Sequence, residues 1–77
     1  MEHPVCLTIA GSDPSGGAGL QADLKTFHRF GAYGAAVVSL VTVQNSLGTE
    51  SVQVLPARLV ESQIRAVLDD LPVAEPG

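Results

Sequence analysis

The chain has 77 residues, which is enough for one small domain at most and too few for the core of a large enzyme. Because 45% of the residues are hydrophobic and 16% are charged, we expect the chain to fold rather than to remain disordered. A net charge of −4, with four scattered Lys and Arg residues, argues against nucleic acid as a partner, and no apolar run reaches the roughly 18 residues that span a bilayer.

The first predicted element is a strand over Val5–Ala10, a short run of β-branched and apolar residues that ends at a cluster of Gly, Asp and Pro. A continuous apolar run of this kind is typical of a strand that is buried on both faces, and therefore of a parallel sheet. The chain's one cysteine, Cys6, lies in this strand and cannot form an internal disulfide. With no Lys or Arg before the apolar run, these features predict a cytoplasmic protein.

A helix is predicted next, because Leu20, Leu24 and Phe27 recur at helical spacing and Gly31 follows as a stop signal. A second apolar run over Ala35–Val43 then predicts another strand.

Strand, helix and strand form a βαβ unit, whose right-handed crossover places the carboxyl ends of both strands at one edge of the sheet. The second strand ends at the polar pair Gln44 and Asn45. We therefore expect the loop that begins at Gly11 to lie beside these two residues.

The rest of the chain predicts one more strand and one more helix. Val52 and Val54 alternate with a polar residue, which is typical of an edge strand. A helix is predicted over residues 57–71, with Glu61 and Arg65 paired one turn apart and Pro72 as the stop. The last five residues leave no room for a further strand.

The segment AGSDPSGGAG, residues 10–19, joins the first strand to the first helix, where backbone N–H groups and the helix dipole favour an anion. The P-loop pattern is met in part, since Gly11 and Gly16 have its spacing but Gly17 and Ala18 stand where Lys and Ser or Thr are needed. A G-x-G-x-x-A pattern also begins at Gly17, without the acidic residue expected about 20 positions on. A phosphate site and a loop whose glycines serve only the backbone both stay open.

Polar side chains near this loop are candidates for ligand contacts. Asp13 is explained most simply by hydrogen bonds to nearby backbone N–H groups. Asp23 lies in the first helical turns, where it favours the dipole and can face the loop. Gln44 and Asn45 lie where parallel sheets bind ligands, and an amide suits a heterocycle that has an amine beside a ring nitrogen. An ordinary polar strand end is the alternative for both amides.

The motifs AGSDPSGGAG, QADLKTF, GAYG and VQN follow one another in the order and at the spacing of one enzyme family. From Leu7 to Leu71, the chain resembles the N-terminal segment of hydroxymethylpyrimidine/phosphomethylpyrimidine kinases, thiamin-biosynthesis enzymes of the ribokinase-like superfamily. The resemblance implies an α/β fold, the N-terminal βαβ(β)α portion of a three-layer α/β/α domain with a mostly parallel sheet. It also implies phosphorylation of 4-amino-5-hydroxymethyl-2-methylpyrimidine, and then of its monophosphate, with ATP and Mg²⁺.

The resemblance assigns substrate contacts to three positions of this chain. Gln44 matches the family's pyrimidine-binding amide, while Gly11 and Asp23 fall in the substrate pocket near the hydroxymethyl arm. The family's later glycine-rich anion hole, its catalytic residue and most of its ATP site have no counterpart here. We therefore expect residues 1–77 to be the substrate-side part of a truncated kinase domain, with no catalytic residue and no metal ligand of its own, inactive alone.

Other readings stay open beside this one. A pyridoxal-type kinase of the same superfamily shares much of the segment, and a non-catalytic remnant that only binds or pairs with another subunit would also fit. Association of exposed sheet edges into a homo-oligomer is a further alternative. A dinucleotide-binding βαβ piece fits least, because the required acidic residue is missing.

Overall fold

The computed structural model describes residues 3–73, in which strands and helices follow in the expected order. The elements are β1 (Val5–Ser12), α1 (Gly19–Arg29), β2 (Tyr33–Asn45), β3 (Gly48–Val54) and α2 (Ala57–Asp70). All three strands extend beyond the apolar runs that predicted them, because pairing with a neighbouring strand continues through polar residues. Among the helices within residues 3–73, none is long and apolar enough to cross a membrane.

The sheet has the order β1-β2-β3. β1 and β2 are parallel from Val5 and Tyr33 to Ser12 and Val41, with a register shift between Ala10 and Gly11. β3 runs antiparallel to β2 and forms a hairpin with it, with a second register shift just before Gln44. Both irregularities lie where the strands approach the glycine-rich loop, so they change the direction of the backbone at that end of the sheet.

α1 packs closely on the sheet because Gly34 has no side chain. A Cβ atom at Gly34 would lie 2.8 Å from Leu24 and 3.1 Å from Phe27, which are two of the residues that predicted the helix. Val37 of β2 is fully buried on the other face of the sheet, because side chains alternate along a strand. The packing of α1 therefore sets the distance between the glycine-rich loop, which precedes the first turn of α1, and the carboxyl ends of β1 and β2.

α2 is fastened to the sheet by Gln63. Its side-chain amide donates to the carbonyl oxygen of Val38 at 2.8 Å and accepts from the N–H of the same residue at 2.9 Å. The amide thus takes the place of a neighbouring strand along that part of β2. Within residues 3–73, α1 and α2 both pack against β2 and make no contact with each other, as expected for helices on opposite faces of a sheet.

One expectation about the edges of the sheet needs correction. Ile9 is 52% exposed, so the prediction that β1 is buried on both faces is wrong at this residue. The reason is that α2 packs against β2 and does not reach β1. Near the end of the described chain, Val73 forms one isolated parallel bridge with Val5, and the other four residues of the segment predicted to hold no strand, 74–77, lie outside the described residues.

Candidate functional site

The candidate site lies at the carboxyl ends of β1 and β2, where the loop leads into α1. The hydroxyl of Thr42 donates to the carbonyl oxygen of Ser12 at 2.7 Å, which ties the end of β1 to β2 two residues before Gln44. This contact places the loop and the end of β2 at one edge of the sheet, as the crossover rule predicts.

Asp13 organises the loop from a buried position, with 5% of its surface exposed. Its carboxylate accepts hydrogen bonds from the Ser15 hydroxyl at 2.7 Å, the Ser15 N–H at 2.9 Å and the Ala18 N–H at 2.8 Å. The Ser15 hydroxyl lowers the pKa of Asp13 most, burial opposes this, and the two N–H groups and the Gln44 amide lower the pKa further. The interpretation of Asp13 as a partner of nearby backbone N–H groups is therefore confirmed.

This arrangement changes the reading of the loop as an anion site. Ala18 immediately precedes α1, and α1 has no side-chain cap at that end. The Asp13 carboxylate takes the N–H of the residue just before the helix, close to where a bound anion would use the N–H groups of the first turn. A phosphate at this end of α1 would therefore lie close to a negative charge that the loop already contains.

Two side chains of α1 hold the loop against the helix. Gln21 accepts from the N–H of Asp13 at 2.8 Å and donates to the hydroxyl of Ser12 at 2.8 Å. Lys25 donates to the carbonyl oxygen of Gly16 at 2.9 Å. The sequence reasoning missed Gln21, although a Gln at the third position of a helix is a known signal for a side chain that reaches back to the preceding backbone.

The glycines at the two ends of the loop are required by close packing. A Cβ atom at Gly19 would lie 2.3 Å from the carbonyl oxygen of Gly11, and Gly19 has a φ of +62°. A Cβ atom at Gly11 would lie 2.6 Å from the side chain of Leu40. Gly11 is the next-to-last residue of β1, directly before the loop, and the packing of β1 against Leu40 of β2 and against the start of α1 accounts for both glycines without a ligand.

Asp23 is half-buried, and its carboxylate accepts a hydrogen bond from the strand that α1 covers. The hydroxyl of Thr8, a buried residue of β1, donates to Oδ2 of Asp23 at 2.5 Å. Asp23 is the fifth residue of α1, so it lies beyond the first turn and the helix dipole does not account for its position. Within residues 3–73, its Oδ1 has no hydrogen-bond partner and can accept one from a ligand.

The two amides at the end of β2 differ in their surroundings. Asn45 is exposed and accepts the N–H of Leu47 at 2.8 Å, so it forms the hairpin turn. Gln44 is half-buried, and its Oε1 accepts from the hydroxyl of Thr49 at 3.3 Å. Its amide also lies close enough to Asp13 to lower the pKa of that carboxyl. Of the pair, Gln44 is the one that faces the loop.

The described residues contain no group of three or more His, Cys, Asp or Glu side chains that could hold a metal ion. A groove of about 300 Å³ lies at the opposite end of the sheet, where residues 31–33 lead into β2. The apolar groove and the polar cluster around the loop are therefore separate features. The cluster offers a carboxylate oxygen and an amide, which suit a small polar ligand with hydroxyl and amine groups.

Comparisons with known proteins agree on one family. A family described as "Phosphomethylpyrimidine kinase" matches residues 13–75. A hydroxymethylpyrimidine/phosphomethylpyrimidine kinase of Rhizobium meliloti (strain 1021) is 51% identical over 69 residues, which cover 90% of this chain and 26% of that protein. This chain therefore spans about a quarter of the length of the curated relative.

Two solved structures are similar to this fold. The crystal structure of a phosphomethylpyrimidine kinase from Clostridium difficile 630 has a TM-score of 0.86 and 50% identity, over 91% of this chain and 30% of that one. A pyridoxal kinase from Staphylococcus aureus, in complex with AMP-PCP, has a TM-score of 0.77 and 38% identity, over 87% of this chain and 25% of that one. The sequence similarity to the pyridoxal kinase is thus the weaker of the two.

Proposed function

Because the chain belongs to the phosphomethylpyrimidine kinase family, we propose that residues 1–77 are the substrate-side part of an ATP-dependent kinase. Its substrates are 4-amino-5-hydroxymethyl-2-methylpyrimidine and the monophosphate of that compound. The proposal is supported by two half-buried side chains on the loop side of the sheet, Gln44 at the carboxyl end of β2 and Asp23 of α1, which lies over Thr8 in the middle of β1. Neither side chain is needed to form a turn or to cap the helix.

Gln44 is proposed to bind the pyrimidine ring. Its amide carries a donor and an acceptor side by side, which matches a ring nitrogen beside an exocyclic amine. The hydroxyl of Thr49 restricts how this amide can turn, because it donates to Oε1 at 3.3 Å, and the Asp13 carboxyl lies nearby. We propose that this restriction leaves Oε1 for the amine and Nε2 for the ring nitrogen.

Asp23 and Gly11 are proposed to surround the hydroxymethyl arm. Oδ1 of Asp23 accepts the hydroxyl proton of the arm in a hydrogen bond, while Thr8 occupies Oδ2. Gly11 is proposed to contribute its backbone to this end of the site, since Leu40 fills the space that a side chain of Gly11 would need. The phosphoryl acceptor is therefore proposed to lie between α1 and the carboxyl-terminal half of β1.

The phosphoryl donor is proposed to be ATP with Mg²⁺, bound mainly by protein outside these 77 residues. The related Staphylococcus aureus pyridoxal kinase binds AMP-PCP, which supports a nucleotide as donor. The negative charge of Asp13 at the start of α1 disfavours a triphosphate in this loop. No residue of this chain is assigned to the chemical step, and the chain alone is proposed to be inactive. The complete kinase is proposed to act in the cytoplasm.

The solved pyridoxal kinase motivates a second candidate, pyridoxal phosphorylation. A full-length chimera separates the two, with residues 3–73 of this chain in place of the matching segment of the Clostridium difficile kinase. We expect the chimera to phosphorylate the aminopyrimidine with a higher kcat/KM than pyridoxal. A reversed preference would support the pyridoxal reading, and an inactive but folded chimera would support a non-catalytic remnant.

Self-association of the isolated chain is the remaining proposal. All seven residues of β3 are exposed, its outer edge is unpaired among residues 3–73, and Leu47 at the hairpin turn is 93% exposed. Unpaired edges with exposed apolar side chains favour pairing between copies. Sedimentation of the purified chain at several concentrations tests this, with a constant monomer mass as the contrary result.

A further inference from the structure

We propose that Thr8 is a positioning residue for substrate binding, which it performs by holding the carboxylate of Asp23. This inference rests on the proposed function, because it assigns the free oxygen of Asp23 to the hydroxymethyl group of the substrate. Thr8 does not touch the substrate itself. Its contribution is to select one orientation of a side chain that does.

The environment of Thr8 makes this hydrogen bond difficult to replace. Thr8 lies in β1 with 8% of its surface exposed, so little water can reach its hydroxyl. Its side chain is β-branched, which restricts its χ1 angle and fixes the direction of the hydroxyl. The 2.5 Å contact with Asp23 is short, as is typical of a hydroxyl that donates to a carboxylate.

The hydrogen bond from Thr8 fixes the Asp23 carboxylate because that carboxylate has few other contacts. Within residues 3–73 the Thr8 hydroxyl is the one hydrogen-bond partner of this carboxylate. Lys25, two residues further along α1, is engaged by the carbonyl oxygen of Gly16 instead. Without Thr8, the half-buried carboxylate would lose its anchor and could rotate between several orientations. With Thr8, Oδ2 is occupied and Oδ1 is presented in one direction.

The geometry also explains why a threonine serves here and a valine would not. The two side chains have nearly the same shape, but valine has no hydroxyl and would leave Oδ2 unpaired beside a buried methyl group. Serine keeps the hydroxyl and loses only a methyl group. Comparing threonine, valine and serine at position 8 therefore distinguishes the effect of the hydrogen bond from the effect of packing within the strand.

The test uses the chimera, with kinetics measured for both substrates. Thr8→Val is expected to raise KM for the aminopyrimidine about tenfold, the loss of one hydrogen bond to a charged group, and to leave KM for ATP unchanged. For Thr8→Ser, KM for the aminopyrimidine is expected to stay within about twofold of that of the unchanged chimera. Thr8→Ala removes the same hydroxyl and takes the place of the valine variant if that variant does not fold.

A double variant distinguishes positioning from a structural effect. If Thr8 acts through Asp23, then Thr8→Val adds nothing to the loss caused by Asp23→Asn. The inference would be overturned if Thr8→Ser and Thr8→Val raised KM for the aminopyrimidine equally. It would also be overturned if the increases caused by Thr8→Val and Asp23→Asn multiplied in the double variant. If Asp23→Asn itself leaves KM for the aminopyrimidine unchanged, the proposed role of Asp23 fails instead.

A second measurement needs no activity. In the 77-residue chain, the ¹³C resonance of the Asp23 carboxyl is expected to move in Thr8→Val and to stay in place in Thr8→Ser. An unmoved resonance in the valine variant would show that the hydroxyl does not hold the carboxylate, and would contradict the inference.

Discussion

The carboxylate of Asp13 accepts the backbone N–H of Ala18 at 2.8 Å, directly before the first turn of α1. The loop therefore contains its own anion at the place where a glycine-rich loop of a nucleotide-binding protein would hold a phosphate. This contact is the reason why we place the substrate's hydroxymethyl arm, rather than the ATP phosphates, at this end of the sheet.

The first prediction concerns the pH dependence of stability. Because hydrogen bonds lower the pKa of Asp13 in the folded chain, the unfolded chain takes up the proton first as the pH falls. The stabilisation is complete above the ordinary Asp pKa of about 3.9 and is lost as the pH falls through the lower folded pKa. The Tm of thermal unfolding, recorded between pH 2 and pH 6, measures this loss of stability.

Asp13→Asn is the matching variant for this pH series. We expect its Tm to be lower than that of the unchanged chain at pH 6, with a smaller fall on acidification. Asp69→Asn, at an exposed position of α2, serves as the control and should follow the unchanged chain. Identical pH profiles for the unchanged chain and Asp13→Asn would contradict this account of the loop.

A second prediction concerns Gln21. Gln21→Ala removes a hydrogen bond to the N–H of Asp13 and another to the hydroxyl of Ser12. We expect it to lower the free energy of unfolding by about 1–2 kcal/mol and to speed hydrogen exchange at Asp13. Gln53→Ala, on the exposed strand β3, is the control. Unchanged exchange at Asp13 would show that Gln21 does not hold the loop.

A third prediction separates two reasons for a glycine. Gly19 and Gly31 both have positive φ angles, +62° and +76°, but only a Cβ atom at Gly19 meets other atoms, since Gly31 has open space around it. Gly31→Ala is expected to cost about 1 kcal/mol of unfolding free energy, from its backbone conformation alone. Gly19→Ala should cost clearly more, because the Cβ atom would overlap the carbonyl oxygen of Gly11. Equal costs, measured by urea unfolding, would rule out the close contact.

Much of the fold follows from the sequence pattern, and the expected βαβ(β)α portion of a ribokinase-like α/β fold is confirmed by the solved relatives. The helical spacing of Leu24 and Phe27 was sufficient to predict α1, and the crossover rule was sufficient to bring the loop to the end of β2. The extent of β3 was not predictable from hydrophobicity, because pairing with β2 rather than burial makes it a strand.

The contacts that fix the candidate site were harder to predict. The role of Gln21 depends on where α1 begins, and the partner of Asp23 depends on which face of β1 the helix covers. The exposure of Ile9 likewise follows from the path of α2 rather than from any local pattern. The substrate contacts of Gln44, Gly11 and Asp23 stay predictions, which rest on the resemblance and on the geometry around them.

The most direct test of the substrate half-site is Gln44→Ala in the chimera, with Gln53→Ala as the matched control. The account predicts that Gln44→Ala raises KM for the aminopyrimidine by about tenfold or more, because a neutral hydrogen-bonding pair to the ring is lost, and leaves KM for ATP within about twofold. Gln53→Ala should change neither constant. Equal losses for the aminopyrimidine and ATP, or no loss for either, would contradict the assignment of this end of the sheet to the pyrimidine.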